Sequence, residues 1–289
     1  MSSEANFMNK TFNGCFSSFE EANTVVFGAP YDGTVSFRPG TRFAPQVMRI
    51  ESIGVETYSP YQDLDQVENS KVYDAGDLNI PFGDSSVALR MIEDAASEYV
   101  TAGKRTFMVG GEHLVTLPAF KAVLQKHPDL CLIHFDAHTD LREEFIGVPM
   151  SHATVIRKIW DEIGDGRIFQ FGIRSGAREE FYWAASGHTT LNKYDFTGLE
   201  EAIAAIGDRP VYFTLDLDVL DPSIMSGTGT TEGGGVTFKE LLNAILMVSK
   251  CNLVAADMVE LAPHYDQSGV STAVACKLLR ELLLALSVR

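Results

Sequence analysis

Ile133-His134-Phe135-Asp136-Ala137-His138-Thr139-Asp140 carries an apolar run, Leu130 to Ile133, into a cluster of ionisable side chains. The run reads as a strand buried on both faces that delivers polar residues at its far end. In extended chain alternate side chains share a face, which would point Asp136, His138 and Asp140 the same way. Two carboxylates and an imidazole beside a core need a partner, and a divalent cation is the simplest one. Taken alone, Asp-x-His-x-Asp is also compatible with a strand end capped by solvated turn residues.

A second stretch repeats the design. Val211-Tyr212-Phe213-Thr214-Leu215-Asp216-Leu217-Asp218 is a β-rich run followed by two Asp at i and i+2, then a turn marked by Asp221-Pro222. In a third, Thr106-Phe107-Met108-Val109 runs into Gly110-Gly111-Glu112-His113. Three expected strands thus end in metal-competent residues, and open α/β sheets place their sites at the carboxyl ends of strands. Together they favour a metal centre over a solvated turn. His134 shares the face of Asp136 but lies within the β-run, so it reads as a packed or supporting histidine.

Outward from these motifs the pattern alternates. Strands are expected over 24–29, 71–75, 167–173 and 252–259, and helices over 45–53, 84–102, 118–127, 152–163, 176–186, 197–206, 238–249 and 270–286. Such alternation predicts a mostly parallel sheet with helices on both faces. No repeat or linker interrupts it, so residues 23–289 are expected to form one domain, preceded by an N-terminal arm over 1–22.

Composition narrows the partners. Of 289 residues 45% are apolar, ample for one large core, and 23 Lys and Arg stand against 39 Asp and Glu, a formal charge of −16. That balance argues against nucleic acid or an anionic membrane and favours a small cation. Cys15, Cys131, Cys251 and Cys276 lie far apart with no Cys-x-x-Cys spacing. The first ten residues lack the apolar stretch of a signal peptide, and 278–286 is too short and too charged to span a bilayer. A reduced, cytoplasmic protein is expected.

Asp136, Asp140, Asp216 and Asp218 bring four negative charges, and neutral His113 and His138 bring none. Two divalent cations would balance the set. Oxygen-rich ligation with two imidazoles suits Mn²⁺, with Fe²⁺, Co²⁺ and Zn²⁺ less favoured. Gly110-Gly111-Glu112-His113, Asp136-Ala137-His138-Thr139-Asp140 and Asp216-Leu217-Asp218 with Asp221-Pro222 resemble the metal signatures of the ureohydrolases, the family of arginase, agmatinase and formimidoylglutamase. The likeness runs from about Gly28 to the last helix. It is closest to the short bacterial agmatinases, including Ser36-Phe37-Arg38-Pro39-Gly40 and Leu141-Arg142-Glu143-Glu144.

The resemblance implies an arginase/deacetylase-like α/β fold, two Mn²⁺ per chain and a homo-oligomer, a trimer or hexamer. It implies that His113 and Asp140 bind one ion, His138 and Asp218 the other, and that Asp136 and Asp216 bridge both. It further implies that Asp140 orients the attacking water, that His152 in Ser151-His152-Ala153-Thr154 shuttles a proton, and that Glu260 receives the guanidinium. A carboxylate is the natural complement of that planar fork of donors. The Gly-rich loop 227–235 has no Lys for a phosphate loop and is expected to shape the mouth of the site.

The implied reaction is hydrolysis of a small cationic guanidino substrate, agmatine, to putrescine and urea, within polyamine synthesis. Glu143 and Glu144 would repel the carboxylate of arginine and favour a bare ammonium. Arg142 cuts the other way, toward an acidic tail such as that of guanidinobutyrate. A metal-binding relative without turnover is the alternative of a different class.

Overall fold

The computed structural model describes residues 11–81 and 83–288. Runs rich in β-branched and aromatic residues form eight strands: β1 Thr24–Ala29, β2 Val72–Asp77, β3 Arg105–Gly110, β4 Cys131–Phe135, β5 Ile168–Ile173, β6 Thr190–Lys193, β7 Pro210–Asp216 and β8 Asn252–Val259. They pair in the order β2-β1-β3-β8-β7-β4-β5-β6, and every pairing is parallel. The expected α/β class holds, with a sheet parallel throughout.

Among the described residues seven longer helices join the strands and an eighth follows the last: α1 Ala44–Glu51, α2 Ser85–Thr101, α3 Thr116–Lys126, α4 Val155–Ile163, α5 Arg178–Trp183, α6 Leu199–Ile206, α7 Phe238–Val248 and α8 Val270–Ser287. Their ends follow local chemistry. The Asp84 side chain accepts the Val87 N–H to start α2, and Gly103, at φ +81°, follows its last turn. Thr237 and Glu240 cap α7 reciprocally.

Successive side chains of each central strand enter opposite cores. Ile133, Phe135 and Phe213 pack with Met48 of α1, Leu241 and Ile245 of α7 and Leu282 of α8. Leu132 and Tyr212 pack on the other side with Ile92 of α2, Phe120 of α3 and Ile159 of α4. Both faces are therefore covered, which is why these strands read as nearly unbroken apolar runs.

Some elements depart from expectation. Edge strand β6 has no fully buried residue and falls in a stretch that reads as a connection. A two-stranded hairpin, Tyr58–Ser59 with Leu64–Asp65, was not foreseen. It is anchored from afar, since the buried Arg280 guanidinium donates to the Glu56 and Tyr58 carbonyls. Of the arm expected over 1–22, residues 1–10 lie outside the described residues; within the remainder, Phe12 is buried in a core and its N–H donates to Asp74. The four cysteines are buried and none is in a disulfide, and no helix among the described residues is long and apolar enough to cross a membrane.

The register matters most at one edge. β3, β8, β7 and β4 are consecutive neighbours, so 110, 259, 216 and 135, where they end, lie side by side. Gly111, just past β3, has its N–H on the Ala29 carbonyl, and a Cβ there would come within 1.8 Å of the Tyr31 carbonyl oxygen. Backbone on both sides leaves nothing soft to yield. Gly111→Ala is expected to destabilise the fold by about 1–3 kcal/mol, read as a lower urea midpoint, by forcing two backbone segments apart.

Candidate metal centre

Each of those four strand ends contributes to one cluster. β4 is followed by Asp136, His138 and Asp140; β7 ends on Asp216 and is followed by Asp218; His113 follows β3 and Glu260 follows β8. At two of them the same device turns the chain. Asp136 Oδ1 accepts the His138 N–H, and Asp216 Oδ1 accepts the Asp218 N–H at 2.8 Å. Asp218 Oδ1 in turn accepts the Ala137 N–H at 3.1 Å. Each of these carboxylates thus spends one oxygen on the backbone and turns the other toward imidazole.

The remaining oxygens converge on imidazole. His113 Nδ1 lies 3.0 Å from Asp136 Oδ2, 3.2 Å from Asp216 Oδ2 and 3.4 Å from Asp140 Oδ2. His138 Nδ1 lies 2.9 Å from Asp218 Oδ2 and 3.4 Å from Asp136 Oδ1. Convergence is not achieved by extended chain, however. Asp140 has φ +51°, a left-handed conformation that swings its side chain back toward the cluster.

The donor set fits divalent cations. His113 Nδ1 is buried and makes no hydrogen bond, although three carboxylate oxygens surround it. A nitrogen lone pair facing carboxylates is served by a shared cation or by a proton. Asp136, His138 and Asp218 have ligand atoms mutually close enough to hold one ion, and so do His113, His134 and Asp136.

His134 is otherwise engaged. The Gln170 amide donates to its Nδ1 at 3.1 Å and to the Thr139 carbonyl at 2.9 Å. That leaves His134 Nε2–H to donate to Asp136 Oδ2 at 2.8 Å, so its two nitrogens are spent on orienting Asp136. His113 is oriented in a comparable way. Asp257 accepts the Tyr212 hydroxyl at 2.7 Å and the Thr214 hydroxyl at 2.6 Å. With its proton committed, Thr214 Oγ1 can only accept from His113 Nε2–H, 3.0 Å away, so in the neutral imidazole Nδ1 is the nitrogen that faces the centre. Sequence reasoning missed Thr214, Gln170 and Asp257; the first lies two residues before Asp216 on the same strand face, which was the available signal.

Electrostatics follow from crowding. Burial opposes a charged imidazole at His113 and His138, but the carboxylates beside them outweigh it and hold both well above the usual histidine range. Burial and neighbouring Asp side chains push Asp140 and Asp216 up. Burial would also raise Asp136, yet the surrounding imidazoles hold it well below the carboxylate range.

A cavity of about 350 Å³ opens over the cluster, lined by His138, Asp140, Asp216, Asp218 and Glu260 at one end and by the 35–37 loop, Arg142, Phe145, Ser175 and Glu232 elsewhere. His152 is in its wall, with its Nε2 3.5 Å from Ser36 Oγ and the Phe145 ring edge-on at 5.7 Å. Its backbone N–H donates to Thr34, whose hydroxyl and N–H donate to buried Glu112. Burial pulls the His152 pKa below its ordinary value. Glu260, at φ +67°, accepts the His113 N–H through Oε1 at 2.7 Å, and burial pushes it up to about 7. Glu143 and Glu144 are exposed and outside the lining, and Glu143 is paired with Arg157 at 2.8 Å. Arg142 is held near Glu180, at 3.6 Å, and over the Phe145 ring.

Fold and site together define a class: an α/β enzyme built round a carboxylate–imidazole metal centre at the carboxyl edge of a parallel sheet. Residues 22–285 match the model of the arginase family, and the chain belongs to that family. It is 50% identical over 281 residues to the agmatinase of Bacillus anthracis, covering 96% of this chain and 97% of that one. A candidate agmatinase from Clostridium difficile, known from its crystal structure, superposes with a TM-score of 0.91 at 50% identity, over 93% of this chain and 99% of its own. The proclavaminate amidino hydrolase of Streptomyces clavuligerus superposes with a TM-score of 0.86 at 31% identity, over 92% of each chain.

Two outcomes follow from the centre's chemistry. Cation uptake must displace protons from the imidazoles, so affinity is expected to fall by about tenfold per pH unit for each proton displaced as pH drops. Calorimetry in buffers of differing ionisation enthalpy counts those protons. Thr214→Val removes the acceptor for His113 Nε2–H and is expected to weaken divalent-cation affinity about 10- to 100-fold in a chelator competition.

Proposed function

We propose that the chain hydrolyses the guanidinium group of agmatine, giving putrescine and urea, at a centre that holds two divalent cations, Mn²⁺ by preference. The observation that carries this reading is the presence, in one cavity, of the carboxylate–imidazole cluster and of Glu260 with an oxygen to spare. In it His113, Asp136, His138, Asp140, Asp216 and Asp218 would hold the ions. Four carboxylates balance two dications, and the oxygen-rich set suits Mn²⁺. When bound, the ions supply a water made acidic enough to ionise near neutral pH and Lewis-acid polarisation of the group they face.

The chain does the rest. Glu260 accepts the planar N–H fork and holds the guanidinium carbon against the cluster. Because a guanidinium stays cationic, its arrival draws Glu260 back to the ionised form. Asp140 orients the attacking water. His152, kept neutral by partial burial, takes up a proton and returns it to the departing amine. Its ring stays in reach of the cavity beside Phe145 and Ser36, while Thr34 accepts its backbone N–H.

Arginine or an acidic guanidine would bring a carboxylate among Asp and Glu side chains. Arg142, which could have welcomed it, leans toward Glu180, 3.6 Å away, and over the Phe145 ring. A relative without turnover would be expected to lack a ligand or His152, and none is missing here.

Urea release with added Mn²⁺ is the direct test. Agmatine is expected to exceed arginine and 4-guanidinobutyrate by about tenfold or more in kcat/KM; equal turnover of arginine, or none of agmatine, sinks the reading. His152→Asn is expected to lower kcat about 100-fold or more with metal content and the agmatine KM little changed.

A further inference from the structure

Three glutamates line the cavity, and two already have a place in the site. Glu180 uses Oε1 for the Thr139 hydroxyl and the Leu141 N–H and Oε2 for the Ala177 N–H, with Arg142 close by. Glu260 lies beside the metal cluster and is tied to the His113 N–H. Glu232 accepts only the Ser175 hydroxyl, at 2.8 Å through Oε1; its second oxygen takes no hydrogen bond from the described residues. A carboxylate half-satisfied at a cavity wall is an acceptor for a cationic donor from the ligand.

The backbone under Glu232 is fixed. Its carbonyl accepts from Arg174 Nη2 at 2.9 Å, and the same guanidinium donates to the Asp218 carbonyl at 2.7 Å. Upstream in the loop, Thr228 bridges to Leu261, and the Ala262 N–H donates to the Gly227 carbonyl at 2.7 Å. The loop carrying Glu232 is therefore clamped both to a ligand loop and to the turn just after Glu260. Two carboxylates, each with one oxygen unengaged, sit in one cavity on a shared rigid frame. Such a frame suits an elongated dication.

We infer that Glu232, positioned by Ser175 and Arg174, receives the ammonium at the far end of the substrate and selects a cationic tail over a neutral or acidic one. This rests on the guanidine-hydrolase reading of the site, and it transfers to Glu232 the tail selection expected of Glu143 and Glu144. Ammonium recognition here is distinct from the chemistry at the cluster, so loss of Glu232 should alter binding and leave the chemical step alone.

The test compares agmatine with 1-butylguanidine, which has the same chain length and no charge on its tail, in the Mn²⁺-loaded full-length protein. Calorimetric Kd values and urea-release kinetics are measured for wild type, Glu232→Gln and Glu232→Lys. Glu232→Gln keeps the Ser175 contact and is expected to weaken agmatine binding and raise its KM about tenfold, with kcat and butylguanidine unchanged. Glu232→Lys is expected to weaken agmatine further and to improve 4-guanidinobutyrate. An agmatine-to-butylguanidine affinity ratio that stays the same in Glu232→Gln overturns the inference even if agmatine is hydrolysed; so does failure of wild type to bind agmatine more tightly than butylguanidine. If the ratio moves while no urea is released, the inference stands and the hydrolase reading falls.

Discussion

One buried nitrogen sets the terms for the molecule. His113 Nδ1 faces oxygens of Asp136, Asp140 and Asp216 within 3.4 Å and bonds to none of them. Negative charge so dense in a dry interior persists only if something offsets it. Part of the answer is backbone: Asp136, Asp216 and Asp218 each give one oxygen to an N–H. The other part is a cation. This division needs several strand ends side by side, and an all-parallel sheet alone puts every carboxyl end on the same edge. An antiparallel neighbour would send its acidic turn to the opposite edge. The topology and the centre are therefore one requirement seen at two scales.

The layer behind the cluster shows how costly a loose ligand would be. Three polar chains run back from it: Asp257–Thr214 to His113, Gln170 to His134 and Asp136, and Glu112–Thr34 to His152. All are wholly or largely buried, and each leaves one choice of tautomer or backbone direction. Tyr212 serves two purposes, packing its ring on Phe120 in the core while its hydroxyl satisfies Asp257. Core packing and site geometry are consequently not separable along β7.

What the sequence revealed and what it hid divide along physical lines. Near-continuous apolar runs located the central strands, and start and stop signals most helices, because those signals are local. The three ligand motifs were legible because carboxylates and imidazoles crowded just past a buried strand seldom persist without a cation to hold. The Tyr58–Asp65 hairpin was hidden because its anchors, Arg280 and Glu281, come from the far end of the chain. Edge strand β6 was hidden because half-exposed pairing needs no apolar signature. Glu143 and Glu144 misled because proximity in sequence to Asp140 suggested proximity to the substrate. The left-handed turn at Asp140 and the pairing of Glu143 with Arg157 carry both out of the cavity lining, while Glu232, some ninety residues away in sequence, enters it.

Backbone strain at two site residues completes the logic. Asp140 and Glu260 both adopt positive φ, a conformation glycine would accept more readily, at an energetic penalty on the order of 1–3 kcal/mol each. Glycine cannot supply a carboxylate, so local propensity yields to chemistry at these positions. The penalty is sustained because each residue is held on its main chain. The Asp140 carbonyl accepts the Ile156 and Arg157 N–H groups at the start of α4, and the Glu260 N–H donates to the Gly111 carbonyl. These ties lie in the backbone, not at the side-chain tips, so they hold whether or not a cation or substrate is bound. The side chains therefore need no backbone rearrangement to reach the centre, which is the condition for aiming fixed charges at a reaction without reorganising them each cycle.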